Sequence, residues 1–323
     1  MKTAVQSSVV DSNLLVGRRN APLRKFWTYR TLILMCVPAI LFFLIMSYLP
    51  MPGLYLAFIN YNYSEGIFKS PFVGFDNFKF LISSGALWKL TFNTIAYNLA
   101  FILIGNTLQI AIAILLNELR KKWFKKLSQS LMFLPYFISF VLVGLIAYNI
   151  LSYDFGLLNG VLKSMDMEPV KTYSNPSIWP AIIVLTFLWH STGYGSIVYF
   201  AAIMGLDSEI VEASEIDGAN AFQRIRYIVL PWLKPTFIIL LLFSLGGILR
   251  GNFGLFYNLV GANNTALFDA TDIIETFVFR SLMNNFNFSL GSAVSLYQSI
   301  FGFFIVITAN WLVKKVSPEN TLF

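Results

Sequence analysis

Six long apolar blocks dominate this amino-acid sequence, and they constrain its fold more than any other feature. The blocks cover approximately residues 31–58, 91–116, 129–151, 178–206, 236–260 and 291–313. Each is long enough to cross a bilayer as a helix, which takes about 20 apolar residues. The chain is 57% hydrophobic and only 12% charged, well outside the usual composition of soluble domains. The sequence therefore predicts an all-α, polytopic membrane protein with six transmembrane helices.

The distribution of basic residues predicts the orientation of these helices. Sixteen of the 23 Lys and Arg residues lie in segments on one predicted side, six lie on the other, and Arg250 lies inside the fifth block. Cytoplasmic loops carry the excess of Lys and Arg, so both termini are predicted to be cytoplasmic. Membrane topology therefore explains the net charge of +7, and nucleic-acid binding is not needed to account for it. The predicted parts are a cytoplasmic N-terminal segment 1–30, a transmembrane domain 31–313 containing a cytoplasmic loop 207–235, and a cytoplasmic tail 314–323.

The cytoplasmic loop 207–235 contains the charged, amphipathic stretch EASEIDGANAFQRIRYIVLPWLKP, which begins at Glu212. Acidic residues fill its first half and basic residues its second half. Asp217-Gly218 predicts a turn between two short helices, because Gly adopts positive φ without a steric penalty. Asp217 is also expected to cap the second helix. A helix–turn–helix between two membrane spans is suited to contact another protein.

The spacing in this loop resembles the EAA loop of inner-membrane subunits of binding-protein-dependent ABC importers. That pattern is Glu-Ala-Ala, three residues, Gly, nine residues, Ile-x-Leu-Pro. This chain matches it at Glu212, Ala213, Ser214, Gly218, Ile228, Leu230 and Pro231, with Ser214 replacing one small residue by another. The resemblance implies a coupling helix between helices 4 and 5 that docks on a partner ATPase. The expected contact residues are Glu212, Ala213, Ser214, Asp217, Gly218, Ala219 and Phe222.

Further segments resemble the branch of sugar permeases that handles oligosaccharides and polysaccharide fragments. They are WHSTGYGSIVYFAAIMGLD, GGILRGNFGLFYNL, TDIIETFVFR and ENTLF. The resemblance implies a type I importer in the bacterial cytoplasmic (inner) membrane, with an oligosaccharide or polysaccharide fragment as substrate. Its expected partners are a second permease subunit forming a heterodimer, two cytoplasmic ATPases that use ATP and Mg, and an extracytoplasmic solute-binding protein. No nucleic-acid partner is expected.

The sequence contains no ATP-binding motif of its own. A Walker A loop needs Gly-Lys followed by Ser or Thr, and no Gly in this chain is followed by Lys. Cys36 is the single cysteine, which excludes a disulfide framework and a cysteine-rich metal site. The chain is therefore expected to be a non-enzymatic subunit without a cofactor.

The fourth and fifth blocks supply the candidates for a substrate path. A charge at the centre of a span costs about 2.5–3.5 kcal/mol on insertion scales, so Arg250 is expected to avoid lipid tails. Neighbouring glycines permit an unwound, cavity-lining backbone, although a side chain that reaches the headgroups is the alternative. An arginine could also pair with the carboxylate of a uronic acid. A packed structural role is the alternative for His190. The candidates are Trp189, His190, Tyr194, Arg250, Asn252 and Phe253.

Two other classes of function stay open at this point. An ion-coupled secondary transporter would need ionisable residues inside the spans, where Arg250 is nearly alone. A membrane-embedded glycosyl or acyl transferase would need acid–base or metal chemistry at a membrane face. Its candidates are Asp269, Asp272 and Glu275, whose spacing of three places them on one face of a possible helix. That pattern is more typical of a solvated or docking surface.

Overall fold

The computed structural model describes residues 29–261 and 263–316. Helices dominate this part of the chain, and the β structure found there is one antiparallel bridge between Ile59 and Phe72. The chain divides into two units, one ending at Leu54 and the other beginning at Tyr55. In the first unit, α-helix Arg30–Phe43 continues into π-helical Leu44–Tyr48, and neither segment has a buried residue.

Within the described residues, the helices long and apolar enough to cross a membrane number five, or six when one bent pair counts as a single span. We number the spans one to six in chain order, with the bent pair as span three. Their bounds are Arg30–Phe58, Ala86–Glu118, Lys122–Phe137 with Phe140–Leu151, Pro176–Met204, Ala221–Gly246 and Phe288–Lys315. The predicted all-α membrane fold is therefore confirmed.

Short helices connect the spans. Between spans one and two lie Gly66–Lys69 and Asp76–Ser83, and between spans three and four lies Leu157–Ser164. The segment between spans four and five contains Ser208–Ile216. After span five the chain forms Phe253–Val260, Thr265–Leu267, Phe268–Thr271, Ile274–Phe279 and the π-helical turn Arg280–Asn284.

Span three is bent, although its hydropathy predicts one continuous helix. The two halves, Lys122–Phe137 and Phe140–Leu151, meet at 93°, and the first half ends in the 3-10 turn Leu134–Phe137. Pro135 lies in the first turn of this 3-10 element, where a missing N–H is tolerated. Inside a continuous α-helix its ring would clash with the preceding turn, so the proline favours a break here. Ser139 then caps the second half by accepting a hydrogen bond from the Leu142 amide at 3.5 Å.

Span five differs from its predicted bounds at both ends. Its helix begins at Ala221, fifteen residues before the predicted start at 236, and passes through Pro231 and Pro235. A π-helical turn at Ile225–Val229 precedes these prolines, and such turns absorb irregular hydrogen bonding within a helix. The helix ends at Gly246 and resumes as Phe253–Val260, so it is interrupted where the glycines predicted it.

Three buried clusters hold the second unit together. One joins spans two and four to helix Phe253–Val260 and is centred on Tyr97, Trp179 and Phe256. Another joins spans two and six to the interrupted segment of span five, through Leu90, Leu249 and Val294 among others. The third lies where span two ends, span four ends and span five begins, and it includes Leu116, Tyr199 and Leu233. Apolar burial therefore fixes span five to its neighbours on both sides of the interruption.

Candidate functional site

The predicted loop 207–235, which we call the coupling loop after its expected role, includes the first turns of span five and is a compact helix–turn–helix. Asp207 caps the first helix by accepting a hydrogen bond from the Glu209 amide at 3.0 Å. Gly218 has φ +82° and makes the turn, as predicted. Asp217 ends the first helix and does not cap the second, so that prediction is wrong. Asn220 is the cap, and it exchanges hydrogen bonds with Gln223 in a capping box.

Arg224 connects the two helices of the coupling loop to span two. Its Nη1 lies 3.1 Å from the Glu215 carboxylate, and its Nη2 lies 3.8 Å from the carboxylate of Glu118 at the end of span two. Trp232 adds a second connection, since its indole N–H donates to the Ala202 carbonyl oxygen of span four at 2.8 Å. The loop is therefore attached to two spans besides the one it leads into.

The coupling loop presents large apolar side chains next to its charges. Ile216, Phe222 and Tyr227 are 87%, 74% and 73% exposed. A groove of about 310 Å³ lies beside them, lined by Asp217, Gly218, Ala219, Gln223, Arg224, Tyr227 and Ile228. Glu212 and Ala213 are also exposed, whereas Ser214 is half-buried and donates to the Val211 carbonyl oxygen. Exposed aromatic and aliphatic residues of this kind mark protein–protein contact surfaces.

A second feature is a cavity of about 580 Å³ among spans two, four and five. Arg250 carries the one charged side chain among the described residues that line it. Its guanidinium donates no hydrogen bond within the described chain and is exposed to the cavity. The lining also contains the residues Asn98, Phe101, Ile102, Asn106, Gln109, Phe187, Tyr194, Gly195, Val198, Leu240, Ser244, Gly251, Asn252 and Phe253.

Four of the six predicted path residues line this cavity, namely Tyr194, Arg250, Asn252 and Phe253. The Asn252 Oδ1 also accepts a hydrogen bond from the Leu255 amide at 3.1 Å and so caps the resumed helix of span five. Trp189 is 49% exposed and does not line the cavity. The structure thus brings together all three candidates from the fifth apolar block and only Tyr194 of the three candidates from the fourth block.

His190 lies outside the cavity lining and contacts the bend of span three. Its Nε2 is 3.0 Å from the carbonyl oxygen of Ile138, and this contact requires a proton on Nε2 because a carbonyl can only accept. The ring is buried and stacks on Phe140 with 4.4 Å between centroids. Gly193 follows His190 by three residues in the same helix, and a Cβ added to it would lie 1.8 Å from the Met132 carbonyl oxygen. Span four therefore packs directly on the backbone of the bend.

Sequence reasoning missed the polar face of span two. Asn98, Asn106 and Gln109 line the cavity, although no role was expected for them. Asn106 is buried, accepting from the Tyr199 hydroxyl at 2.6 Å and donating to the Ile102 carbonyl oxygen. Their spacing of eight and three residues puts all three on one helix face. This polar stripe in an otherwise apolar block was the signal that could have identified them.

The acidic residues after span five do not form one helical face, so that expectation is wrong. Asp269 lies in helix Phe268–Thr271 and pairs with Lys89, whereas Asp272 follows this helix and pairs with Arg280 at 2.6 Å. Glu275 lies in the next helix, and its Oε1 accepts from the Gln298 amide at 2.7 Å. The three carboxylates have separate partners. The described residues also contain no group of His, Cys, Asp and Glu side chains that could hold a metal ion.

The fold, the helical loop and the polar cavity between spans define a transport subunit, and comparison with known proteins assigns its family. The chain belongs to the family of binding-protein-dependent transport system inner membrane components, whose model matches residues 109–318. The protein is therefore a multi-pass permease component of an ABC transporter rather than an enzyme. The two alternative predictions, a secondary transporter and a membrane-embedded transferase, are therefore wrong.

Relatives with assigned names extend over nearly the whole chain. Protein LplB of Bacillus subtilis is 32% identical over 92% of this chain and 91% of its own length. The polygalacturonan/rhamnogalacturonan transport system permease protein YteP of the same organism is 31% identical over 99% of both chains. The trehalose/maltose transport system permease protein MalF of Thermococcus litoralis is 26% identical over 88% of this chain and 92% of its own.

Solved structures show the same fold. A subunit of a bacterial ABC transporter involved in the import of the acidic polysaccharide alginate superimposes with a TM-score of 0.82 at 29% identity. The alignment covers 91% of this chain and 99% of that subunit. The alginate transporter in complex with an alginate pentasaccharide-bound periplasmic protein gives the same TM-score and identity, covering 93% and 99%.

Proposed function

We propose that this chain forms half of the translocation path of a type I ABC importer for oligosaccharides or polysaccharide fragments, acidic ones included. The observation that carries the proposal is the cavity of about 580 Å³, which has Arg250 at the interruption of span five. Its volume falls in the range of about 300–1,000 Å³ that is usual for small-molecule sites. Non-helical backbone within a membrane is tolerated where it lines a cavity, and transporters place their binding sites there.

Arg250 would bind the carboxylate of a uronic acid unit. A planar guanidinium matches a carboxylate with two parallel hydrogen bonds, which favours acidic over neutral sugars. The similarity to the polygalacturonan/rhamnogalacturonan permease and to the alginate importer supports an acidic substrate.

Aromatic and amide side chains would bind the sugar rings themselves. Phe101 stacks on Phe187 with 3.9 Å between centroids, and Tyr194 stacks on Tyr136 at 4.3 Å. The faces of such aromatic rings suit the apolar face of a pyranose. The side chain of Gln109 makes no hydrogen bond within the described chain, so its amide is available to sugar hydroxyls.

The coupling loop would dock into a groove of a cytoplasmic ATPase. Support comes from the exposed Ile216 and Phe222 beside Glu212, and from the attachment of the loop to spans two and four. Closure of the ATPases around ATP and Mg would move the loop, and these attachments would transmit the movement to the cavity. Glu212, Ala213, Ser214, Asp217, Gly218, Ala219 and Phe222 are the proposed contact residues.

The remaining partners follow from this role. A second permease subunit, expected to be a different chain, would supply the other half of the path. An extracytoplasmic solute-binding protein would deliver the carbohydrate, as the pentasaccharide-bound periplasmic protein of the alginate transporter suggests. With both termini in the cytoplasm of a bacterial cell, the coupling loop faces the ATPases.

Uptake by the reconstituted transporter tests the proposal. The complete complex and its binding protein are placed in proteoliposomes, and uptake of trigalacturonate is measured. Arg250→Gln should raise the half-saturating concentration about tenfold or more, because hydrogen bonds to charged groups contribute about 1.5–3 kcal/mol. Lys163→Gln removes an exposed positive charge away from the cavity and is the matched control. Unchanged kinetics in a fully assembled Arg250→Gln transporter would refute the role of the cavity.

A further inference from the structure

The interruption in span five leaves backbone groups that side chains of other spans satisfy. The Asn98 amide of span two donates to the carbonyl oxygens of Ile248 and Arg250 at 3.0 and 3.1 Å. The Gln298 amide of span six donates to the carbonyl oxygen of Leu249 at 2.6 Å. Three successive carbonyls are therefore bound from two directions. Because an unsatisfied carbonyl is costly in a membrane, these bonds fix the backbone that carries Arg250.

Glu275 completes this arrangement from the short helix Ile274–Phe279. The Gln298 amide that binds Leu249 also donates to Glu275 Oε1 at 2.7 Å. Glu275 Oε2 lies beside the Gly251 backbone, 2.6 Å from the position that a Cβ on Gly251 would occupy. This oxygen is buried and makes no hydrogen bond of normal geometry. A carboxylate thus lies behind the residue that follows Arg250.

The charges of Arg250 and Glu275 act on each other. Burial raises the pKa of Glu275, and the Gly251 amide, the Gln298 side chain and the charge of Arg250 each lower it. Arg250 is exposed to the cavity, whereas the Glu275 carboxylate lies behind the segment that carries it. A carboxylated sugar beside Arg250 would therefore be attracted by the guanidinium and repelled by Glu275. A neutral sugar has no net charge, so this direct attraction and repulsion would be absent from its binding.

We propose that Glu275 is a specificity-determining positioning residue, whose negative charge behind Arg250 limits how tightly the cavity binds carboxylated sugars. This inference rests on the proposed function of the cavity. It assigns Glu275 a role beyond support of the interrupted segment, because Asn98 and Gln298 already satisfy the three carbonyls without it. The limit on affinity serves transport, since a substrate that binds too tightly is not released.

The test compares an acidic ligand with its neutral form. Equilibrium binding of trigalacturonate and of its methyl triester is measured on the complete transporter in nanodiscs, without the solute-binding protein. Glu275→Gln keeps an oxygen that accepts from Gln298 and removes the charge. It should tighten binding of the acid by on the order of three- to tenfold and leave the ester unchanged, as expected for one nearby charge at a partly solvated site. Glu275→Asp, which keeps the charge, should preserve the wild-type ratio of the two affinities.

Equal changes for acid and ester in Glu275→Gln would show that Glu275 only supports the backbone, and would overturn the inference. Should that variant fail to assemble, Glu275→Met removes the same charge at similar length and must show the same acid-selective gain. Arg250→Gln tests the proposed function separately, because it should abolish the preference for the acid. An acid preference that depends on Arg250 but not on the charge at 275 overturns this inference and leaves the proposed function standing.

Discussion

Arg224 and Glu215 hold the two helices of the coupling loop together through an ion pair of 3.1 Å between Nη1 and Oε1. The same guanidinium lies 3.8 Å from Glu118 at the end of span two. Arg224 is mostly buried, whereas both carboxylates are more exposed, and this one arginine connects the first helix of the loop to a cavity-lining span. A displacement of the loop would therefore be passed to span two through this side chain.

Replacing Arg224 should weaken coupling more than stability. The pairs are partly exposed, and such pairs contribute about 0.2–1 kcal/mol, so Arg224→Ala should assemble with a nearly unchanged thermal midpoint. Uptake and substrate-stimulated ATP hydrolysis should nevertheless fall several-fold, because span two no longer follows the loop. Arg226→Ala removes an exposed neighbour that makes no ion pair within the described chain and serves as the control. Equal losses in the two variants would contradict the role of Arg224.

Gly218 should tolerate asparagine but not valine. Its surroundings are open, with no atom within 4 Å of an added Cβ, so the constraint is the backbone angle of +82°. A β-branched residue in this region costs on the order of 1–3 kcal/mol, whereas Asn adopts it readily. Gly218→Val should uncouple ATP hydrolysis from uptake or release the ATPase, and Gly218→Asn should retain both activities. Equal uptake and hydrolysis rates for the two variants would show that the turn is not required.

Gly193 should be essential for the packing of span four on the bend of span three. A Cβ there would lie 1.8 Å from the backbone oxygen of Met132, which has little freedom to move. Gly193→Ala should lower the thermal midpoint in detergent, with a cost of about 1–3 kcal/mol as for overpacked cores. Gly302→Ala in span six has no atom within 4 Å and should be neutral or slightly stabilising. A stable Gly193→Ala protein would mean that the two spans separate easily.

Hydropathy and local turn chemistry predicted the features that depend on neighbouring residues. The six blocks, the turn at Gly218 and the interruption before Asn252 are of this kind. A membrane span requires a continuous run of apolar residues, and a turn with positive φ favours glycine, so both can be recognised from a local stretch of sequence. The start of span five was missed because residues 221–235 are charged and contain two prolines, yet a π-helical turn keeps the helix continuous. The bend of span three was missed because apolar residues continue through it.

Features that depend on distant contacts could not be read from the sequence. Glu275 was expected on an exposed surface, but its burial depends on Gln298 and on the path of the chain at Gly251. His190 could serve equally well as a ligand or as a packed residue until Ile138 was placed beside it. The polar face of span two is a different case. The helical spacing of Asn98, Asn106 and Gln109 is visible in the sequence, and only the residues that they contact could not be predicted.

The buried carboxyl of Glu275 should make stability depend on pH in a defined direction. Burial raises its pKa above the usual 4.5, so the folded protein holds this proton more tightly than the unfolded chain. The resulting stability is fully present below the unfolded pKa and is lost as pH rises through the folded value. The thermal midpoint of wild type minus that of Glu275→Gln should therefore decrease from acid towards neutral pH, because Gln does not titrate. A difference that is constant, or that grows with pH, would show that Arg250 and the Gly251 amide outweigh the cost of burying the charge.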